Sequence, residues 1–328
     1  MMSNEALMEL FRESGNDYLS GALISQKLGI SRTAVWKQIR KLETAGYEFE
    51  ASTKLGYRLL FEPDKLYKAR IRDCIASSTD RFGQELLYEE EVPSTQNIAR
   101  AMAEEGAPEG VLVVADQQTN GRGRMGRAWT SPNGKGIYMS LILKPFVPIH
   151  CAPQLTLLTA VALCRSLRRI TKLELGIKWP NDLLCSGKKI SGILLESAAE
   201  DDRLKYVIAG IGISVNMTEK DFPEETLAVA TSLRMAAGAS FDRALIIADF
   251  LSEWEQLYDL FQEDGFRSIA SLWESLSVTI GKRVSLRTPQ GVIIGTPEGL
   301  DESGALRIRR DNGETASIFS AEMGEPLS

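Results

Sequence analysis

Apolar and polar positions divide the chain into three kinds of pattern. The first is helical. Ala6, Leu7, Leu10 and Phe11 recur at helix spacing and Ser14-Gly15-Asn16 interrupts them. Residues 20–28 predict a second helix with Leu23, Ile24 and Leu28 facing inward and Gly29 ending it. Ser31 is placed as an N-cap, and beyond it Val35, Ile39 and Leu42 fall at i, i+4 and i+7, which predicts a third helix with one apolar stripe. Two helices meeting at a tight glycine turn suit a helix-turn-helix. Residues 47–61 alternate like a hairpin with Thr53-Lys54-Leu55-Gly56 at its tip, as a wing would, and Glu62-Pro63-Asp64 reads as a linker. Residues 1–62 therefore predict a winged helix-turn-helix.

The second pattern mixes periods. A short helix is expected over 66–75, strands over 86–92, 111–117, 137–143, 174–179, 183–185, 189–196 and 204–215, and helices from Ser94 or Thr95, over 152–170, 243–263 and 266–276. Leu155, Leu157, Leu158, Val161, Leu163 and Leu167 spread apolar surface around most of the long helix, so it should be buried against a sheet. Adjacent strands joined by short turns predict a mixed α/β domain, 63–276, with a mostly antiparallel sheet. The third pattern, 277–328, has short alternating strands at 284–287, 292–296, 305–309 and 315–319, separated by turn signals such as Asn312-Gly313. It predicts a small SH3-like β-barrel with no obvious chemistry. The fold class is α+β, multidomain.

Composition narrows the function. A chain of 328 residues, 44% apolar and 25% charged, is ordinary globular material for two or three domains. A net charge of -6 means that any nucleic-acid surface must be local. Such a surface is expected on the third helix, whose outward face carries Arg32, Thr33, Trp36, Lys37, Arg40 and Lys41 with no acidic residue from Ser31 to Lys41. Ser31, Arg32, Thr33, Lys37 and Arg40, with Lys54 on the wing, are the candidate DNA contacts. Trp36 suits contact or packing equally, and a solvated basic helix on an interaction domain is the plainer alternative. No run approaches the about 18 apolar residues that span a membrane, and residues 1–12 lack a signal-peptide layout, so a cytoplasmic protein without membrane attachment is expected. Cysteines at 74, 151, 164 and 185 show no close pairing, and His150 as sole histidine leaves no metal cluster and poor material for a catalytic triad.

The chemistry-bearing stretch is 121–127, GRGRMGR, between two predicted strands. Glycines let backbone approach a ligand, and arginines supply forked donors for carboxylate and phosphate oxygens. An anion clamp is the sharper reading, a solvated basic loop the plainer one. Gly121, Gly123 and Gly126 match GxGxxG by letter, but turn residues follow instead of a helix, and no acidic residue stands at the required distance. GxxxxGK[ST] is absent.

Ser94-Thr95-Gln96, Gln118, GRGRMGR followed by Ala128-Trp129, KWPND at 178–182, KISGIL at 189–194 and GIGI at 210–213, taken in order, closely resemble the bifunctional biotin protein ligases and biotin operon repressors of the BirA family. A winged helix in front and a small barrel behind extend the resemblance over essentially the whole chain. It implies that biotin and MgATP form biotinyl-5′-AMP, and that biotin then passes to a lysine of the biotin carboxyl carrier protein of acetyl-CoA carboxylase. It also implies that the adenylate acts as corepressor on a homodimer bound to operator DNA.

By that resemblance, Lys178, Arg122 and Arg124 are the catalytic cations. Ser94, Thr95 and Gln118 meet the biotin head group, and Gln96, Gly121, Gly123, Trp129, Gly192, Leu194, Gly210 and Gly212 complete the biotin and adenylate site. Asp182 is the candidate Mg2+ ligand. These residue types suit the reaction. Biotin's carboxylate is already ionised near neutral pH, so the obstacle is bringing one anion to another, and fixed cations answer it. Ser94 and Thr95 also suit helix capping. One departure stands out: Ser214 occupies a position where relatives commonly carry asparagine, and Asn216 is a possible substitute. A ligand-sensing repressor without ligase activity, and a lipoate or octanoate acyl ligase, are the rival readings.

Overall fold

The computed structural model describes residues 4–44, 46–62 and 66–326. The expected linker residues Pro63 and Asp64 lie outside the described residues. The chain forms two compact units, Met1–Lys65 and Leu66–Ser328.

The first unit holds α1 (Asn4–Glu13), α2 (Gly21–Leu28), α3 (Arg32–Thr44) and a hairpin of β1 (Glu48–Ser52) and β2 (Gly56–Phe61). Leu7, Met8, Phe11, Ile24, Leu28, Val35, Ile39 and Leu42 make its core. Ser20 and Ser31 lie before their helices, and their hydroxyls accept from Leu23 N (3.1 Å) and Ala34 N (3.2 Å). This satisfies amides that the first turn leaves without partners. Gly29 takes φ 65°, the left-handed conformation that ends α2 at low steric cost. Leu23 departs from expectation: it is 39% exposed, because Ile24 and Leu28 already fill the one stripe this eight-residue helix turns inward.

The second unit continues with α4 (Lys68–Ala76), β3 (Leu86–Val92), α5 (Thr95–Glu104), β4 (Leu112–Gln118), β5 (Gly136–Leu143), α6 (Ala152–Thr171), β6 (Leu175–Lys178), β7 (Asp182–Cys185), β8 (Lys188–Glu200) and β9 (Arg203–Ser214). Then come α7 (Leu233–Ala237), α8 (Arg243–Asp264) and α9 (Phe266–Leu276). The seven strands run β3-β4-β5-β9-β8-β7-β6. Each named pair is antiparallel except β3 with β4, which α5 joins as a crossover. Alternating side chains give the sheet two apolar faces. On one, Ala99 and Ala103 of α5 pack on Val113, Ile142 and Ile208. On the other, α4, α6, α8 and α9 cover Val114, Met139, Leu141 and Val207.

The chain closes with β10 (Val284–Thr288), β11 (Gly291–Leu300), β12 (Leu306–Arg310), β13 (Thr315–Ile318) and β14 (Glu322–Pro326), ordered β13-β12-β11-β10-β14. Val284, Leu286, Leu306, Ile308 and Met323 join the apolar core under α6 and α9. The sequence pattern missed β14 and α7, both short. No described helix is long and apolar enough to cross a membrane. The cysteines are unpaired, and burial pushes the Cys164 thiol up to about 11, which keeps it a neutral packing group.

Candidate active site

Strands β4, β5, β8 and β9 and the start of α5 surround a cavity of about 580 Å³. Its floor is neutral and polar. The Thr95 N–H donates to Gln118 Oε1 (2.9 Å), and the Thr95 hydroxyl shares its single proton between that oxygen (3.2 Å) and Ser140 Oγ (2.9 Å). The Ser140 hydroxyl donates to Gln96 Oε1 (3.2 Å), while Gln96 Nε2 donates to the carbonyls of Leu194 (3.3 Å) and Ile208 (3.2 Å). Gln118 Nε2 donates to Ser131 Oγ (3.1 Å). Ser94, Thr95, Gln96 and Ser140 are all buried, where an unpaired polar group is costly, and the mutual bonds meet that cost. Ser94 precedes α5, but its side chain makes no cap hydrogen bond, which leaves the hydroxyl to the cavity.

Glycines make room for this arrangement. A Cβ at Gly210 would lie 2.1 Å from Gln96 Oε1, and one at Gly212 would lie 2.5 Å from the Trp129 indole. Gly192 faces Gly212 across β8 and β9, so the Trp129 ring rests on a platform without side chains. The indole Nε1 is buried without a hydrogen-bond partner.

The roof is cationic. Loop 121–127 folds on itself: Trp129 N donates to Gly121 O (2.9 Å) and Gly123 N to Arg127 O (2.7 Å), with a 3₁₀ turn over Arg124–Gly126. Arg122 Nη2 donates to Asn97 Oδ1 (2.5 Å), and its buried Nε has no hydrogen-bond partner. Arg124 donates to Asn181 Oδ1 (3.1 Å) and Ser320 Oγ (3.2 Å). Burial pulls the Arg124 guanidinium below its ordinary pKa; nearby Asp182 opposes this and Arg127 adds to it. The charged form is thus held at a cost that an arriving anion would relieve. Arg127 pairs with Glu322.

Lys178 and Asp182 stand opposite each other on β6 and β7. Lys189 Nζ lies 2.7 Å from Asp182 Oδ1, a charge contact without hydrogen-bond alignment, and 5.4 Å from the centre of the Trp129 ring. No described group of three His, Cys, Asp or Glu residues is gathered to hold a metal. Asp182 is a single carboxylate on the cavity wall, with one oxygen facing Lys189.

Of the residues expected at this site, Gly121 stands behind the wall and the others line the cavity. The sequence reading omitted Lys189, Ser140 and Asn181. Lys189 and Asn181 lay inside quoted motifs, whereas Ser140 is joined to the site by pairings between distant strands. One expectation is corrected. Asn216 does not substitute beside Ser214: it is fully buried, and its amide is used at both ends by the Phe241 backbone (Nδ2 to O, 2.9 Å; N to Oδ1, 3.0 Å). The C-terminal strands, which show no obvious chemistry in sequence, reach the cavity: Glu322 and Met323 line it, and Ser320 and Glu322 hold its arginines.

In the first unit, Ser31 just before α3, Arg32, Thr33, Trp36, Lys37 and Arg40 on α3, and Lys54 on the hairpin tip are exposed. Trp36 is 48% exposed, with Arg40 over its ring at 5.7 Å. Arg40 also pairs with Glu43, an exposed ion pair that solvent screens.

Residues 88–214 match the Biotin/lipoate A/B protein ligase family, residues 4–58 an HTH domain and residues 279–323 the Biotin protein ligase C terminal domain. The chain is 46% identical over 317 residues to the bifunctional ligase/repressor BirA of Bacillus subtilis, covering 97% of each chain. It belongs to the BirA family. The BirA of Escherichia coli is 29% identical over 329 residues, 98% of this chain and 100% of that one. A biotin protein ligase from Aquifex aeolicus, solved with biotin and ATP, is 34% identical with a TM-score of 0.64, covering 74% of this chain and 98% of that chain. Ser214 reaches the cavity: it is 5% exposed, lines the wall and pairs with Gly136 across β9 and β5.

Proposed function

We propose that this chain is an ATP-dependent biotin–protein ligase that forms biotinyl-5′-AMP, transfers biotin to a lysine of a biotin carboxyl carrier protein, and represses biotin genes with the adenylate as corepressor. The observation that carries this reading is a buried neutral floor beneath a cationic roof, in a chain with the helix-turn-helix and full-length likeness of the bifunctional ligase/repressors.

Biotin offers a neutral, hydrogen-bonding ring at one end and a carboxylate at the other. Ser94, Thr95, Gln96 and Gln118 suit the first, and Lys178, Arg122, Arg124 and Lys189 the second. In the first step a carboxylate oxygen attacks the α-phosphorus of ATP, and the bond to the bridging oxygen breaks to release diphosphate. No base is needed, because the nucleophile is already an anion. The cations offset the repulsion and the charge that develops. Asp182 would stand beside the Mg2+ that accompanies ATP, and that ion would add neutralisation of the phosphates. In the second step the neutral amine of the carrier lysine attacks the acyl carbon, AMP leaves with the electron pair of the broken C–O bond, and the amine proton passes to solvent. Enclosure under the loop protects the mixed anhydride from water.

For repression, the exposed α3 face and Lys54 contact operator DNA, two copies meeting two half-sites as a homodimer. The adenylate promotes this only as far as it binds the dimerising state more tightly. A ligase that meets ATP, carrier and operator works in the cytoplasm.

The test is MgATP-dependent biotin transfer to a carboxylase carrier domain by the parent, Arg122→Ala and Lys178→Ala. Transfer by the parent and its collapse in both variants is expected. A folded parent that binds biotin but makes no adenylate would instead be a sensor, and transfer of lipoyl or octanoyl groups in place of biotin would make it another acyl ligase.

A further inference from the structure

Arg243, the first residue of α8, has no exposed surface although it carries a full charge. Its Nη1 donates to Asp116 Oδ1 (2.6 Å) and to the Gly136 carbonyl (3.0 Å). Asp116 stands two residues before Gln118 near the end of β4, and Gly136 is the first residue of β5. The two acceptors are therefore the two roots of segment 119–135, which carries the arginine loop and Trp129.

A second set of bonds closes the same ring. Asn216, just beyond β9, holds both backbone polar groups of Phe241, two residues before Arg243. The Asn216 N–H donates to the Lys135 carbonyl (2.7 Å), one residue before Gly136. Gly136 itself pairs with Ser214. The end of β4, the start of β5, the end of β9 and the start of α8 are thus tied together behind the cavity. A guanidinium fork can hold a carboxylate and a carbonyl at a fixed separation, whereas an apolar side chain of equal length would fill the space and let the two roots move independently.

We propose that Arg243 is a positioning residue for the ligase site: it clamps both roots of the arginine loop to α8 and so sets where Gln118, Arg122 and Arg124 stand, with Asn216 holding the start of the helix. The kinetic part rests on the ligase reading; the mechanical part does not.

The experiment uses the full chain as parent, Arg243→Met, Arg243→Lys, the double variant Asp116→Asn/Arg243→Met, and Arg169→Met as control, since Arg169 pairs with Asp249 and Glu253 away from the cavity wall. Three readouts are taken: thermal midpoint, the rate of trypsin cleavage after Arg122, Arg124 and Arg127 without ligand, and kcat and KM for biotin adenylation. Arg243→Met should speed loop cleavage and lower adenylation kcat/KM by ~10–100-fold, the scale of about 1 Å of misplacement. Arg243→Lys should recover part of both. The double variant, which leaves no unpaired buried charge, should regain the parent midpoint but neither loop protection nor kinetics, and Arg169→Met should keep both. If the double variant regains all three properties, or Arg243→Met folds with parent loop cleavage, the clamp is overturned. A parent that makes no adenylate while Arg243→Met still loosens the loop would sink the ligase reading and leave the clamp standing.

Discussion

The floor and roof of one cavity are built in opposite ways. In the floor, buried Thr95, Gln96 and Ser140 and half-buried Gln118 are bonded to one another across α5, β4, β5, β8 and β9, so no member can move without leaving another unpaired. In the roof, Arg122, Arg124 and Arg127 hang from a glycine-rich turn and hold replaceable partners: an Asn97 oxygen, an Asn181 oxygen and Ser320 hydroxyl, and the Glu322 carboxylate. Biotin supplies a reason for each. A neutral ring is recognised by geometry that exists before it arrives, while two anions that must meet need cations able to change partners as they enter and leave. Four substitutions separate these modes.

The largest effect should come from Arg124→Ala. Removing one preorganised donor aimed at developing charge costs ~10²–10³-fold in kcat, so steady-state adenylation should fall by about that factor while biotin affinity, measured by calorimetry, moves less than about tenfold. Equal losses in both would mean that the roof also binds the ring.

Thr95→Val should act the other way round. It keeps the shape of the side chain but removes the hydroxyl between Gln118 and Ser140, leaving buried partners short of a bond at ~1–3 kcal/mol. Biotin affinity should weaken by ~5–150-fold with the KM for ATP nearly unchanged. A variant that loses ATP affinity instead would show that floor and roof are one rigid unit.

Gly210→Ala tests packing alone. Its Cβ would lie 2.1 Å from Gln96 Oε1, and the Gln96 amide, with one hydrogen bond at its oxygen and two at its nitrogen, cannot swing aside cheaply. Overpacking of this kind costs ~1–3 kcal/mol, to be read as a lower unfolding free energy in denaturant. Parent stability would mean that Gln96 yields, and that the floor is softer than its hydrogen bonds imply.

Legibility in the sequence followed the range of the interaction. The stripe of Val35, Ile39 and Leu42 is local, and so is the apolar girth of α6; both elements stand where periodicity put them. The arginine loop was legible as a clamp because glycine and arginine state their roles by residue type. Its partners were not. Ser140 meets the site through strand register, Ser320 through the turn before β14 and Glu322 through β14 itself, and spacing along the chain carries none of these; Asn181 lay inside KWPND, but its bond to Arg124 depends on how the loop folds. Asn216 shows the same limit: beside a cavity-lining serine it read as a ligand group, whereas the fold turns its amide to Phe241. Leu23 failed for the opposite reason, as a single apolar residue on a short helix says little about which side is covered.

The smallest effect should lie at the loop's attachment to the C-terminal strands. The hydrogen bond from Arg127 holds the Glu322 carboxyl below the usual glutamate range, with burial opposing it. A carboxyl depressed in the folded state adds stability that is complete above its unfolded pKa and is lost as pH falls through the lower folded value. Parent and Glu322→Gln should therefore differ at neutral pH and converge in acid, both in thermal midpoint and in trypsin cleavage of the loop. The pair is largely exposed, with side chains 64% and 36% accessible, so solvent screening limits the difference to ~0–1 kcal/mol. That weakness suits the roof, because a latch of this size can open at little cost to admit biotin and nucleotide and close again over the adenylate. A loss several times larger, persisting in acid, would make the loop as fixed as the floor and end the distinction between them.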